Sequence, residues 1–584
     1  MQHKKRLSLL LALVMAFTLF AGLGAHVQAE VEKFDWKEFD NLIKQSKTET
    51  DFAAREGILH QAEDILMDTG AICPLYYYND VFMAKEDLNG YYSNPYGFKY
   101  FAFSEFGDRD TIRLNISSEP DKLDPALNTS VDGACLAVNS FAGLFTYNAE
   151  GAVVPDLVDS YEVSEDGTIY TFTLKDDLKW SNGDPLDAHD FEYSWKRAVN
   201  WLTAADYSYM FDVIKGYPDV PAEDVDMDEE KCNEVADQMA VKASEDGKTL
   251  TVELNSPCAY FLDLCAFPTY YPVHKASVEA ADGYRDADGN ILQPGAWAVE
   301  AGFVSNGAFT CQEWKHNQSI VYVKNPNYHR ADDVKVERLE FMLSDDLPVI
   351  FSAFQAGDLD FIDSIPVDEI ENVKDNPEYH LVDQLGTYFV IFNVNSPMFD
   401  GKTVEEAKNM RKAISYCIDR QYIADTVART GQLIANTFVP EGMADGHGGI
   451  FRQNDEDYSY PVEDEVGYFP LEPDLDKAQE LLEAAGYVFD ENGMLSAETP
   501  LNIEYVTNKM ESHEKIAECI QQDLAQLGIT VNVSQMDWAT FQNERKAGNY
   551  DVARHGWVAD FNDPINFLEM WTTESGNNDA QFGR

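Results

Sequence analysis

The stretch LKWSNGDPLDAHDFEYSWKRAVN, residues 178–200, lies between two segments that each read as a β-hairpin. Upstream, YEVSEDGTIYTFTL (161–174) places Asp166 and Gly167 between two runs, and the second run alternates Tyr170, Phe172 and Leu174 with Thr171 and Thr173. An Asp-Gly pair flanked by alternating apolar residues is a hairpin signature, because the turn needs a residue that tolerates positive φ. Downstream, SEDGKTLTVEL (244–254) repeats the device, with Leu250, Val252 and Leu254 on one face. Further along, VEEAKNMRKAISYCIDR (404–420) spaces Ala407, Met410, Ile414 and Cys417 as a helix does, and HEKIAECIQQDLAQLG (513–528) is a second helix closed by Gly528. Strand and helix signals alternate with no low-complexity linker and no repeated unit, so a mixed α/β protein with intertwined lobes is expected.

The first 29 residues, MQHKKRLSLLLALVMAFTLFAGLGAHVQA, carry a basic head, an apolar run and a small-x-small exit at Val27, Gln28 and Ala29. That is the pattern of a secretory signal peptide cleaved after Ala29; the alternative is an uncleaved membrane anchor. No cysteine follows the leader until Cys73, so the signal for a lipid anchor is missing and an extracytoplasmic, soluble chain is expected. Residues 30–584 are too many for one hydrophobic core and call for several lobes. The formal net charge of −60 repels nucleic acid and anionic lipid headgroups, and nucleic acid is not expected as a partner. The acids are dispersed, with dense patches at 221–238 and 453–474, which reads as solubility of an exported protein.

The sequence offers little for catalysis. H-E-x-x-H, G-x-S-x-G and P-loop motifs are all absent, and 103 acidic residues make chance carboxylate pairs uninformative. His189 in DAHDF and His447 in DGHGGI read as solvated or capping histidines. The eight cysteines are scattered without metal spacing, so neither a metal nor another cofactor is expected; most read as small buried residues, and their pairing is not assignable.

Residues 178–200, ISSEPDKLDPALNTS (116–130), NGAF (306–309), NPNYH (325–329), AFQAGDLDF (353–361), RKAISYCIDR (411–420) and NYDVARHGWVADFNDPINFLEMW (549–571) together closely resemble the oligopeptide-binding proteins of ABC importers. The resemblance implies a three-lobed, periplasmic-binding-protein-like α/β fold of class II type, with two main lobes joined by a two-crossing hinge plus an extra lobe. It places part of lobe III at 30–73, lobe I at 74–141 and 273–384, lobe II at 142–272, and the rest of lobe III at 385–584, with crossings near 73–78 and 384–392.

The order of segments departs from that family. EFDNLIKQ (38–45), REGILHQAEDILMDTGAICPLYYYND (55–80) and LNGYYSNPYG (88–97) resemble the family's carboxyl end, yet here they follow the leader, while SGNNDAQFGR (575–584) stands last. A circular permutation is inferred, with SEFGDRDT (104–111) joining the family's usual ends; the rival account is an artefact of gene assembly.

The resemblance also implies a site. A peptide of variable sequence offers only its ammonium, its carboxylate and its main-chain amides as constant features. Asp560 matches the position that takes the ammonium; His513, Arg545 and Arg554 match positions that meet ligand carboxylates. Main-chain pairing is implied at Gly556, Trp557 and Val558 and, more loosely, at a second edge formed by Thr129, Ser130 and Val131, with Tyr207 as an aromatic contact from lobe II. The implied function is capture of short peptides by a monomer, without catalysis, and their delivery to an ABC transporter permease with its ATPase subunits. The alternatives are another solute or a peptide-sensing receptor, and a secreted hydrolase is disfavoured.

Overall fold

A computed structural model describes residues 35–116, 119–120, 122–218 and 228–584. The leader and its cleavage after Ala29, and the first part of the 221–238 acidic patch, lie outside the described residues. Among the described residues, no helix is long and apolar enough to cross a membrane.

In chain order the elements that matter are α1 (Lys37–Ser46), α2 (Phe52–Asp68), β1 (Ile72–Ala84), β2 (Thr111–Asn115), α3 (Val131–Ser140), β3 (Val158–Val163), β4 (Ile169–Leu174), α4 (Ala188–Val199), β5 (Val241–Ala243) and β6 (Thr249–Glu253). There follow β7 (Phe309–Lys315), β8 (Ser319–Lys324), β9 (Arg338–Met342), β10 (Phe361–Ile362), β11 (Tyr379–Phe392), α5 (Val404–Cys417), β12 (Asn502–Asn508), α6 (Glu511–Ala525), β13 (Thr530–Met536), α7 (Trp538–Lys546) and β14 (Val552–Val558).

The two hairpins form as their turns require. β3 meets β4 and β5 meets β6, with Gly167 (φ +70°) and Gly247 (φ +68°) at the tight turns. In each turn a serine hydroxyl, Ser164 or Ser244, donates to the aspartate two residues on. The four strands form one sheet in the order β5-β6-β4-β3.

A ten-stranded sheet, β7-β8-β9-β2-β10-β1-β11-β14-β12-β13, carries the rest. Its middle is decided by two unusually long strands, β1 of 13 residues and β11 of 14, paired antiparallel from Ile72 opposite Ile391 to Met83 opposite Tyr379. One end of β1 lies against β10, and β11 lies against β14, so the pair connects two halves of the sheet. Register shifts between Pro74 and Tyr76 and between Tyr77 and Asn79 bend β1 where it crosses. The expected lobe boundaries at 73/74 and 384/385 fall inside these two strands.

The segment that stands first in the chain is built into the core. Trp36 is 2% exposed, stacks on Phe582 at 4.1 Å and donates its indole N–H to the Trp571 carbonyl at 2.8 Å. Asp40 accepts from the backbone and hydroxyl of Thr573. α2 starts on an Asp51 cap and sends Arg55 into a buried, two-pronged ion pair with Asp563, both contacts at 2.8 Å. The first described residues thus lie against the last ones. Within 104–111, Ser104 and Phe106 are buried and residues 107–110 form an exposed tight turn, with Gly107 at φ +56° and the Arg109 amide bonded to the Phe106 carbonyl.

All eight cysteines are free, and six of them are buried.

Candidate functional site

β14 sets the site. One of its edges pairs with β11 along the whole strand, from Phe392 opposite Val552 to Gly386 opposite Val558. Its other edge meets β12 only at Val552 and Ala553, so from Arg554 to Val558 that edge has no strand partner among the described residues. An edge of five residues without a strand partner, along which the Gly556 N–H donates to the His555 Nδ1 at 2.8 Å, is a template for one more extended strand.

Two glycines keep that surface thin. A Cβ on Gly556 would stand 2.2 Å from the Tyr78 hydroxyl oxygen, and one on Gly386 would stand 2.8 Å from the Tyr78 ring. Tyr78, carried in by β1, therefore lies across both glycines and forms part of the site wall; sequence reading had placed it only in a crossing.

At the end of the strand, Asp560 is 7% exposed. One carboxylate oxygen accepts from the Tyr207 hydroxyl at 3.2 Å and the other from the Asn566 amide at 3.3 Å. Asn566, itself buried, turns its oxygen to the Asp560 amide and to the Trp557 indole N–H, each at 3.0 Å, and so fixes the carboxylate and the tryptophan together. No cation pairs with Asp560 among the described residues, and burial pushes its carboxyl up to about 7, against the lowering effect of the Asn566 and Tyr207 hydrogen bonds. The neighbouring Asp563 is the carboxylate that caps the following helical turn and pairs with Arg55. Asp560 is thus left with hydrogen bonds and no counter-charge.

Arg554 presents the opposite case. It is 8% exposed, donates its Nε to Asn508 at 2.8 Å, and lies 5.2 Å and 5.4 Å from the ring centres of Trp538 and Phe541. No carboxylate pairs with it among the described residues. One strand and the turn after it therefore carry a buried carboxylate without a cation and a buried guanidinium without an anion. Such isolated charges are costly until partners arrive.

The other basic positions are occupied or neutral. Arg545 donates to Asp579 at 2.6 Å in a buried ion pair that also takes in His555, so its charge is already offset inside the protein. His513 is held well below its usual range by burial and by the Arg554 charge, and its Nδ1 lies 3.2 Å from the Tyr388 hydroxyl. It stands beside Arg554 as a hydrogen-bonding group on the same side of the site.

Thr129, Ser130 and Val131 form no strand: Ser130 caps α3, accepting from the Gly133 amide at 3.1 Å, and Val131 is the first helical residue. Val131 still lies beside the crossing, since a Cβ on Gly97 would stand 3.1 Å from its side chain and 2.9 Å from the Gln384 amide.

The cleft is shut. Tyr207 reaches Asp560 across it, Tyr260 stacks on Phe561 at 4.5 Å, and Lys47, in the turn between α1 and α2, bridges Asp212 at 2.6 Å and Glu569 at 2.8 Å. Lys47 escaped the sequence reading because both its acidic partners are more than 160 residues away.

Comparison with known proteins gives consistent results. Residues 152–579 match the family described as bacterial extracellular solute-binding proteins, family 5 (middle region). The chain is similar to the oligopeptide-binding protein OppA of Bacillus subtilis, 34% identical over 481 residues, covering 80% of this chain and 79% of that protein. Among solved structures it is similar to the murein tripeptide binding protein MppA of Escherichia coli, with a TM-score of 0.64, 27% identity, and coverage of 82% of this chain and 84% of the other. It is also similar to Haemophilus influenzae OppA in complex with RPPGFSPFR, with a TM-score of 0.62, 26% identity, and coverage of 81% and 85%.

Proposed function

Since the chain belongs to the bacterial extracellular solute-binding proteins of family 5, we propose that its cleft captures short peptides outside the cytoplasm and that the closed protein hands them to an ABC importer permease with its ATPase subunits. The fold is the class II periplasmic-binding type. The observation that carries the reading is the bare edge of β14 flanked by the uncompensated Asp560 and Arg554. An extended peptide supplies main-chain partners to the edge, an ammonium to Asp560 and a carboxylate to Arg554. All three are groups that every peptide has, so capture tolerates sequence variation. The family is one of binding proteins rather than enzymes, and we assign this chain no reaction of its own. β1 and β11 act as the hinge, and a peptide that touches both sides of the cleft stabilises the shut form through contacts the open form lacks.

A thermal melt of the purified protein with mixed tri-, tetra- and pentapeptides, each free and N-acetylated, tests this. Free peptides are expected to raise the melting temperature by several degrees at saturation, and acetylated ones to leave it unchanged. A cooperative melt that no free peptide shifts would sink the peptide assignment.

We further infer that the segment order is a circular permutation of the family's. Support comes from the packing of Trp36 and Asp40 on Trp571, Thr573 and Phe582, and from the exposed turn at 107–110. Collinear alignment with the Bacillus protein leaves about a fifth of each chain unmatched, as a moved segment would. A variant with residue 584 joined to the segment beginning near 35, and opened within 104–111, is expected to melt within a few degrees of the parent and to keep its peptide affinity. Failure of that variant to fold would contradict the inference.

A further inference from the structure

Outside the cleft, one cluster of side chains has donors that its surroundings leave unused. Glu56 of α2, Asp445 and His447 bring one donor atom each to within 4.8 Å of one another. His447 Nε2 lies 2.8 Å from Glu56 Oε2 and 3.6 Å from Asp445 Oδ2. Asp445 is 2% exposed, and its Oδ1 accepts three backbone amides, those of His447, Gly448 and Gly449, at 2.7, 2.9 and 3.0 Å. These contacts lock the carboxylate and leave Oδ2 facing the imidazole without a hydrogen-bond donor among the described residues. Gly449 leaves room for that oxygen, since a Cβ there would stand 2.4 Å from it. Glu56 is 9% exposed, and its Oε1 is buried with no hydrogen-bond partner.

The cluster is short of positive charge. Asp51 and Asp455 act on it electrostatically as well, and the guanidinium of Arg55, on the same helix, is already taken by Asp563. His60, 3.6 Å from Glu56 Oε1, is sandwiched between Phe451 and Tyr458. Two buried carboxylates that face one imidazole, each with an oxygen left over, lack what a divalent cation supplies.

We propose that Glu56, Asp445 and His447 form a binding site for a divalent first-row transition metal, with zinc as the probe. An imidazole nitrogen with two carboxylates selects zinc-like ions over calcium or magnesium, which prefer all-oxygen shells. Three protein ligands leave a fourth position for water. Metal–ligand distances of about 2.0–2.2 Å require the 2.8 Å His447–Glu56 contact to open by roughly half an ångström, and the side chain of His447, 36% exposed, can give that. Glu56 Oε1 gains a partner if the carboxylate binds through both oxygens. The bound ion would tie α2 to the 444–449 loop. That loop packs against the end of the peptide site, with the Ala444 amide on Asn562 Oδ1 at 2.9 Å.

The test is calorimetric titration of the chelator-stripped full protein with zinc, calcium and magnesium, paired with melts. One zinc per chain is expected, with a rise of several degrees in melting temperature and no effect of calcium or magnesium. H447Q and D445N should each weaken zinc binding at least tenfold and abolish the rise. Absence of one-to-one zinc binding by the parent, or zinc binding unchanged in both variants, overturns the proposal. Should the variants fail to fold, crystals of the parent grown with zinc decide instead: anomalous density at these three residues supports the site, and density only elsewhere overturns it.

Discussion

Replacing Asp560 by asparagine is expected to weaken binding of free short peptides by about a hundred- to several-thousand-fold, the 3–5 kcal/mol typical of removing one partner from a buried ion pair. In the bound state the ammonium loses its only charged partner inside the shut cleft. The amide oxygen can keep the Asn566 hydrogen bond while the amide N–H donates to the Tyr207 hydroxyl oxygen, so the fold should survive. The same substitution should change how the unliganded protein responds to pH. The Asp560 carboxyl is pushed up from 3.8 to about 7 in the folded state. Below about pH 4 it is protonated both folded and unfolded, and no penalty arises. Between about pH 4 and 7 the unfolded chain gives up this proton before the folded chain does, so stability falls as pH rises across that window. D560N should remove that part of the decline. A urea titration series from pH 4 to pH 8 reads it directly, and identical slopes for parent and variant would show that Asp560 is not buried as a lone charge.

Replacing Arg554 by methionine is the companion experiment at the other end. A hydrogen bond to a charged group contributes about 1.5–3 kcal/mol, so R554M should cost about ten- to a hundred-fold in affinity for the peptide length whose carboxylate reaches it. C-terminal amidation of that peptide should cost the parent a similar factor and R554M almost nothing more. Methionine preserves the apolar contact with Trp538 and Phe541, which separates loss of charge from loss of packing. Calorimetry across tri- to pentapeptides reads it; no loss at any length would move the carboxylate's partner elsewhere.

Legibility in the sequence followed the range of the interactions. Both hairpins could be read because a glycine at a tight turn is a local requirement, met by Gly167 and Gly247. α5 and α6 were legible from spacing, although α5 stops at Cys417, short of the expected 420, because Ile418 is extended and Asp419 caps a new turn. Asp560 and Arg554 were reached through motif resemblance. Their lack of counter-charges was invisible, since it depends on Asp563 taking Arg55 and Asp579 taking Arg545. Tyr78 and Asn566 were missed because their roles arise from packing: one crosses two glycines on other strands, the other orients a carboxylate and an indole at once. The looser match at 129–131 lies not on a strand but at a serine cap ahead of a helix, which the stretch SVDGACLAV carries in plain view.

The most direct test of the central claim is a thermodynamic cycle that crosses D560N with acetylation of the amino group of one tightly bound peptide, measured by calorimetry. The account predicts that acetylation costs the parent at least a hundred-fold and D560N less than about threefold, because both changes remove the same ion pair. Equal losses in the two proteins would mean that the ammonium and Asp560 do not meet, and would contradict the account of how this cleft holds its ligand.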